Sequence, residues 1–130
     1  MALELILIDT CIWAEFFSKS KSSRKQATSE LIRRDRAAMI GPVLAEILMG
    51  LRRDEHADWV ASSLEGLHFF ELTWSDWREA ARLHRELAVL GHQLPLTDVT
   101  LAHVAMRNDC AVYTTDPHFD VISDLKRYSP

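Results

Sequence analysis

Cysteine is scarce in this chain of 130 residues: only Cys11 and Cys110, ninety-nine positions apart and in no CxxC arrangement. That excludes a disulfide framework and a dithiol redox motif, and it fits a reducing cytoplasm. Long apolar runs are missing as well. The most apolar window, Ala37 to Leu51, contains Pro42 and Glu46 and is too short to span a bilayer, so no membrane role is expected. The opening residues Met1-Ala2-Leu3-Glu4 carry neither the basic region nor the apolar stretch of a secretory signal. Basic charge is not in excess either. A net charge of −4 gives no bulk support for nucleic-acid binding, although it leaves room for local clusters of cations. The six histidines show no HxH or HExxH spacing, so the usual zinc signatures are absent. There is no internal repeat.

What remains is the composition of an ordinary globular domain, 48% hydrophobic and 26% charged. A single domain over residues 1–130 is expected. The only linker-like stretch, Ser18-Lys19-Ser20-Lys21-Ser22-Ser23, is too short to separate two domains.

Short apolar runs alternate with helical patterns. Leu3 to Ile8 reads as a buried strand ended by Asp9-Thr10, and Cys11 to Phe17 as a short helix carrying the pairs Ile12/Phe16 and Trp13/Phe17. Arg24 to Arg34 forms an amphipathic helix with Leu31 and Ile32 inward. Ala37 to Ile40 is a second strand, and Gly41-Pro42 opens a helix to about Arg53, with Pro42 suited to its first turn. A helix from Asp54 to Leu64 and a strand from Leu67 to Leu72 follow. Thr73 and Asp76 resemble a capping box for a helix from Asp76 to Leu90, stopped by Gly91. Thr97 is expected to cap a helix from Asp98 to Arg107. Ala111 to Thr114 is a fourth strand, and a fifth is sketched near Lys126 to Tyr128. This alternation indicates an α/β fold, a parallel sheet with right-handed crossovers and helices on both faces.

Within that framework four acids fall near strand ends or helix starts: Asp9, Glu46, Asp98 and Asp116. In open parallel sheets ligands bind beyond the carboxyl ends of the strands. Asp9 and Asp116 follow strands directly. Asp98 shares a helix face with Leu101, Ala102 and Ala105, so it tops a buried, small-residue stripe and points inward. Glu46 flanks the apolar face of Val43, Ile47 and Leu51, with Gly50 one turn on. A glycine there costs the helix roughly 1 kcal/mol relative to alanine, which suggests a close approach by another backbone. Taken singly, each acid has a bland reading: helix-dipole placement for Asp98, a turn for Asp116, solvent for Glu46. Together they repel unless a cation holds them, and a carboxylate-held divalent metal at strand ends points to phosphodiester chemistry.

These residues resemble a family. Asp9-Thr10-Cys11-Ile12-Trp13, Ala45-Glu46-Ile47-Leu48-Met49-Gly50, Leu94-Pro95-Leu96-Thr97-Asp98-Val99-Thr100-Leu101-Ala102 and Val112-Tyr113-Thr114-Thr115-Asp116-Pro117-His118-Phe119 are similar to the four motifs of PIN-domain ribonucleases. Their order, spacing and total length resemble the small bacterial toxins of the VapC type. The resemblance covers essentially the whole chain, and its strength lies in four motifs in register. It implies a three-layer PIN-like fold with a sheet of four to five strands in the order 3-2-1-4-5. It also implies a Mg²⁺- or Mn²⁺-dependent endoribonuclease acting on tRNA, rRNA or mRNA, a VapB-type antitoxin as partner, and a homodimer. Carried over by position, Asp9, Glu46, Asp98 and Asp116 match the acidic quartet, with Thr10 and Thr114 as supporting hydroxyls. Asp9, Asp98 and Asp116 are the expected metal ligands, and Glu46 is expected to orient a metal-bound water or a second ion. Cys11 stands where serine is common. His103 replaces a small residue and is expected at the surface or facing substrate. His118 stands where a second acid often appears, which leaves the last acidic position resting on Asp116.

Cations near this mouth, with Arg24, Arg33 and Arg52 foremost, are candidates for RNA phosphate contacts. Trp13, Phe16, Phe17 and Trp59 suggest an apolar interaction surface. Two other readings exist. An aspartyl phosphotransferase would use Asp9 as nucleophile, but the second aspartate expected two residues later is Cys11 and no lysine ends a later strand. The alternative to an enzyme is a non-catalytic PIN-like module that binds nucleic acid or protein.

Overall fold

The computed structural model describes residues 4–130, and the chain folds around a central parallel sheet. In order, the elements are β1 (Ile6–Ile8), α1 (Thr10–Phe16), α2 (Ser23–Arg33), β2 (Ala37–Ile40), α3 (Gly41–Met49), α4 (Asp54–Leu64), β3 (His68–Phe70), α5 (Trp74–Val89), α6 (Leu96–Arg107), β4 (Ala111–Tyr113) and a 3-10 turn at Pro117–Val121. Leu3, the expected first residue of the first strand, lies outside the described residues. The strand order is β3-β2-β1-β4, every neighbouring pair parallel, with Leu7 opposite Ala38 on one side and Val112 on the other. The expected fifth strand shrinks to one parallel bridge beside β4. There the Val112 N–H donates to the Lys126 carbonyl at 3.0 Å, and the Tyr128 N–H donates to the Val112 carbonyl at 2.9 Å.

Strands β1 and β4 explain the packing. Ile6, Leu7 and Ile8 are all buried, as are Ala111, Val112 and Tyr113, because helices cover both faces of the sheet. Each such aliphatic side chain contributes about 1.5–3 kcal/mol when withdrawn from water. Ala38, with no exposed surface, lets β2 sit tightly between its neighbours. Trp13 is wholly buried in this core rather than part of an apolar surface, because α1 turns its ring onto the sheet.

Helix ends correct the sequence reading in two places. α6 begins at Leu96, and Thr97 does not cap it. The extended Pro95 does so through its carbonyl, which accepts from the Asp98 and Val99 N–H groups at 3.1 and 3.2 Å. α3 stops at Met49, with Gly50 as its C-cap in right-handed helical conformation. A methyl at Gly50 would meet only carbonyls of its own helix, at 3.5 and 3.7 Å, so no second backbone approaches there. By contrast the capping box of α5 is present. The Asp76 N–H donates to Thr73 Oγ1 at 3.2 Å, and the Thr73 N–H donates to Asp76 Oδ2 at 2.8 Å.

Candidate active site

The carboxyl ends of β1 and β4 lie side by side, and they set the acids. Ile8 pairs with Tyr113, so the residues immediately after them, Asp9 and Thr114, emerge together. Thr114 Oγ1 donates to Asp9 Oδ2 at 2.7 Å and accepts from the Asp116 N–H at 2.9 Å. One hydroxyl therefore fixes both strand-end aspartates. Asp9 also caps α1, its Oδ1 accepting from the Thr10 N–H at 2.8 Å. Thr10 then donates its own hydroxyl to Glu46 Oε1 at 2.8 Å, tying α3 to the same corner. The two threonines thus link Asp9, Asp116 and Glu46 through direct hydrogen bonds.

Asp98 arrives from α6. Its helix face, Leu101, Ala102 and Ala105, is completely buried, and the carboxylate stands at the top of that stripe. The ligand atoms of Asp98, Asp116 and His118 lie within 4.8 Å of one another. His118 Nδ1 sits 2.9 Å from Asp98 Oδ2 and 3.3 Å from Asp116 Oδ1. Asp9 adds its charge to that of the trio, whereas Glu46 joins this corner only through Thr10. The sequence reading counted His118 as a missing acid; in the fold it is the group that bridges two of the acids. The 3-10 turn supplies the signal, since Pro117 turns the chain directly after Asp116 and brings the next ring back over the site.

Charge is crowded here. Burial lifts Asp98 to about 6, with Asp9 and Asp116 adding to the rise and the hydrogen bond from His118 opposing it. Burial likewise raises Asp9, against the hydrogen bonds of Thr114, Thr10 and Cys11. The His118 imidazole is raised mainly by its hydrogen bond to Asp98. Such a pocket favours a cation, and its donor set of carboxylate oxygens and one imidazole nitrogen, open to solvent on the His118 side, fits a divalent metal.

Other expected residues are placed elsewhere. His103 is largely covered and turned toward α5. Its Nε2 lies 2.9 Å from Asp76 Oδ1, and Arg107 lies 3.1 Å from the same oxygen, a link that clasps α6 to α5. Arg24 is paired with Glu15 at 2.6 Å, and Arg33 with Glu30 at 2.7 Å. Arg52 is exposed and makes no ion pair among the described residues. Trp59, Trp74 and Trp77 are exposed, while Trp13 is core. Beside Thr10 and Glu46 opens a cavity of about 240 Å³, walled by Ala14, Phe17, Ile47 and Val60. No helix among the described residues is long and apolar enough to cross a membrane.

Comparison with known proteins gives a consistent picture. The family described as PIN domain matches residues 6–125 of the chain. Ribonuclease VapC11 of Mycobacterium tuberculosis and a VapC ribonuclease of Mycobacterium bovis are each 29% identical over 125 residues, covering 93% of both chains. Among solved structures, VapBC2 from Rickettsia felis, bound to a DNA fragment from its promoter, is similar with a TM-score of 0.80 at 20% identity, over 95% of this chain and 97% of that one. VapC20 of Mycobacterium tuberculosis, described as a sarcin-ricin loop cleaving toxin, is similar with a TM-score of 0.72 at 18% identity, over 96% and 99%.

Proposed function

The chain belongs to the PIN-domain family, and from that premise we propose that it is a metal-dependent endoribonuclease, the toxin of a toxin–antitoxin pair. The observation that carries the reading is the meeting of Asp98, Asp116 and His118 beside Asp9 at the carboxyl ends of two parallel strands. Relatives named as VapC ribonucleases over nearly the full chain support it.

Asp9, Asp98 and Asp116 would hold Mg²⁺ or Mn²⁺ in this reading. The bound cation supplies charge to the attacked phosphate and acidity to a coordinated water. The protein's share is placement. Thr114 holds the carboxylates of Asp9 and the backbone of Asp116 in one orientation, so little reorganisation is needed when substrate arrives. Glu46, held by Thr10, would orient a water from the α3 side. Asp116 and His118 remain partly exposed and leave the mouth open to a phosphodiester. Arg52, with no ion pair among the described residues, is the freest of the three expected RNA-binding arginines, whereas Arg24 and Arg33 must first leave their glutamate partners. An aspartyl-phosphate route is less suited, because both oxygens of Asp9 already accept hydrogen bonds.

The partner in this reading is a VapB-type antitoxin in the cytoplasm, and the toxin is a homodimer. The cavity walled by Phe17, Ile47 and Val60 borders Glu46 and suits the apolar face of an antitoxin segment. The test is direct: purified protein is incubated with structured RNA in Mn²⁺, in Mg²⁺ and in EDTA, and cleavage ends are sequenced. Discrete cuts that EDTA abolishes, and that Asp98→Asn lacks, are expected. Cleavage that survives both EDTA and Asp98→Asn would overturn the assignment.

A further inference from the structure

His118 lies in a turn built to deliver it. Asp116 caps the 3-10 turn by accepting the His118 N–H at 2.9 Å, and Pro117 occupies the first position, where its ring pre-sets the backbone. The result is that a single carboxylate binds the backbone of His118 while its ring reaches back across the site. Nδ1, not Nε2, faces inward: 2.9 Å from Asp98 Oδ2 and 3.3 Å from Asp116 Oδ1. Those carboxylates come from different elements, α6 and the turn after β4, so only the tertiary fold assembles the trio. The side chain is 47% exposed, and Nε2 has no hydrogen-bond partner among the described residues.

A ring nitrogen seated between two carboxylates occupies the position of a third ligand. In the tautomer that carries its proton on Nε2, the lone pair on Nδ1 faces the space the two oxygens share. Such a set is not neutral among metals. Mg²⁺ is hard, takes oxygen ligands and resists losing water, whereas Mn²⁺ and later divalent ions accept imidazole readily. Three acids alone would hold Mg²⁺ and Mn²⁺ with little distinction; one imidazole tilts the choice.

We propose that His118 is a direct metal ligand through Nδ1, completing a mixed nitrogen–oxygen site with Asp98 and Asp116 that selects Mn²⁺ over Mg²⁺. This rests on the metal-dependent reading above, and its test does not depend on RNA. Metal-free full-length protein is loaded with Mn²⁺ and examined by pulsed electron paramagnetic resonance for coupling to ¹⁴N, with Mg²⁺ competition measured in parallel. Wild-type protein shows ¹⁴N coupling. His118→Asp still binds Mn²⁺, lacks the coupling, and loses about tenfold of its preference for Mn²⁺ over Mg²⁺, a change equivalent to about 1.4 kcal/mol. Bound Mn²⁺ without ¹⁴N coupling in the wild type, coupling that persists in His118→Asp, or an unchanged preference would each overturn the ligand assignment. The two readings separate cleanly. Cleavage of RNA with no ¹⁴N coupling sinks this inference alone, coupling without cleavage sinks the nuclease reading alone, and failure to bind Mn²⁺ at all sinks both.

Discussion

Asp98 shows how a single residue can be costly to the fold and valuable to the site. Burial and the neighbouring acids lift it from 3.8 to about 6. Above that pH the charged form opposes folding, because a carboxylate raised in the native state stabilises only while it stays protonated. A rise of that size is equivalent to roughly 3 kcal/mol, of which a neutral amide should recover part. Asp98→Asn is therefore expected to stabilise the metal-free protein by about 1–3 kcal/mol at pH 7 while abolishing RNA cleavage. Chemical denaturation in EDTA checks the first half and a cleavage assay the second; a less stable variant would show that the carboxylate is held by more than it repels. The acids themselves were legible in the sequence, since an aspartate ending four aliphatics, or topping a stripe of small residues, invites explanation. His118 was not, because its role depends on a turn folding back over α6. No linear spacing reveals that. His103 misled for the opposite reason: its partner Asp76 lies on another helix, so a histidine on a polar-looking face was in fact one half of a clasp.

At the scale of elements, that clasp explains why α6 presents Asp98 at a fixed height. Asp76 is buried, caps α5, and receives His103 and Arg107 from α6. Burial alone would raise its pKa, but the Thr73 backbone N–H, His103, the Thr73 hydroxyl and Arg107 together bring it below 3.8. The sign follows: an acid depressed in the native state adds stability in full above its unfolded value, and that stability is lost as pH falls through the folded value. Asp76→Ala is expected to cost about 2–4 kcal/mol at pH 7, from the lost cap and the side-chain donors of His103 and Arg107 left without their acceptor. The gap to wild type should narrow as pH falls to 3.8 and below; denaturation midpoints at pH 7 and pH 3 measure it, and a constant gap would mean that packing, not charge, carries the cost. Sequence reasoning found this cap because Thr73 and Asp76 are local. It also set the ends of α2, α5 and α6 to within one residue, though only for α5, at Gly91, did it name the residue that stops the helix. α2 and α6 end on left-handed aspartates, Asp35 and Asp109 (φ of 58° and 54°), in the place where Gly91 ends α5. In all three the chain closes with a pair of reversed hydrogen bonds, such as Cys110 N–H to the Ala105 carbonyl at 2.8 Å, that a propensity argument does not see.

For the molecule as a whole, one surface beside the site suits the proposed partner. The parallel order β3-β2-β1-β4 was implied by four motifs in register, and it places α1, α3 and α4 around a common hollow. That hollow is apolar on the walls formed by Ala14, Phe17, Ile47 and Val60 and acidic at the edge where Glu46 stands. An amphipathic antitoxin helix could bury its apolar face there and extend a basic side chain toward the acids, so that affinity and inhibition come from one contact. Ala14 lines the hollow and is exposed, which makes it the place to block docking without disturbing the core. Ala14→Trp should fill the space with a ring that the helix surface tolerates. Its melting temperature is expected to match wild type, while affinity for the proposed antitoxin falls at least about tenfold, or about 1.4 kcal/mol. Expression with the antitoxin then arrests growth where the wild-type pair does not. Titration calorimetry of the two toxins against the same antitoxin decides the matter. Equal affinities would place the antitoxin on another face, with Trp59, Trp74 and Trp77 as the remaining exposed aromatics to carry it.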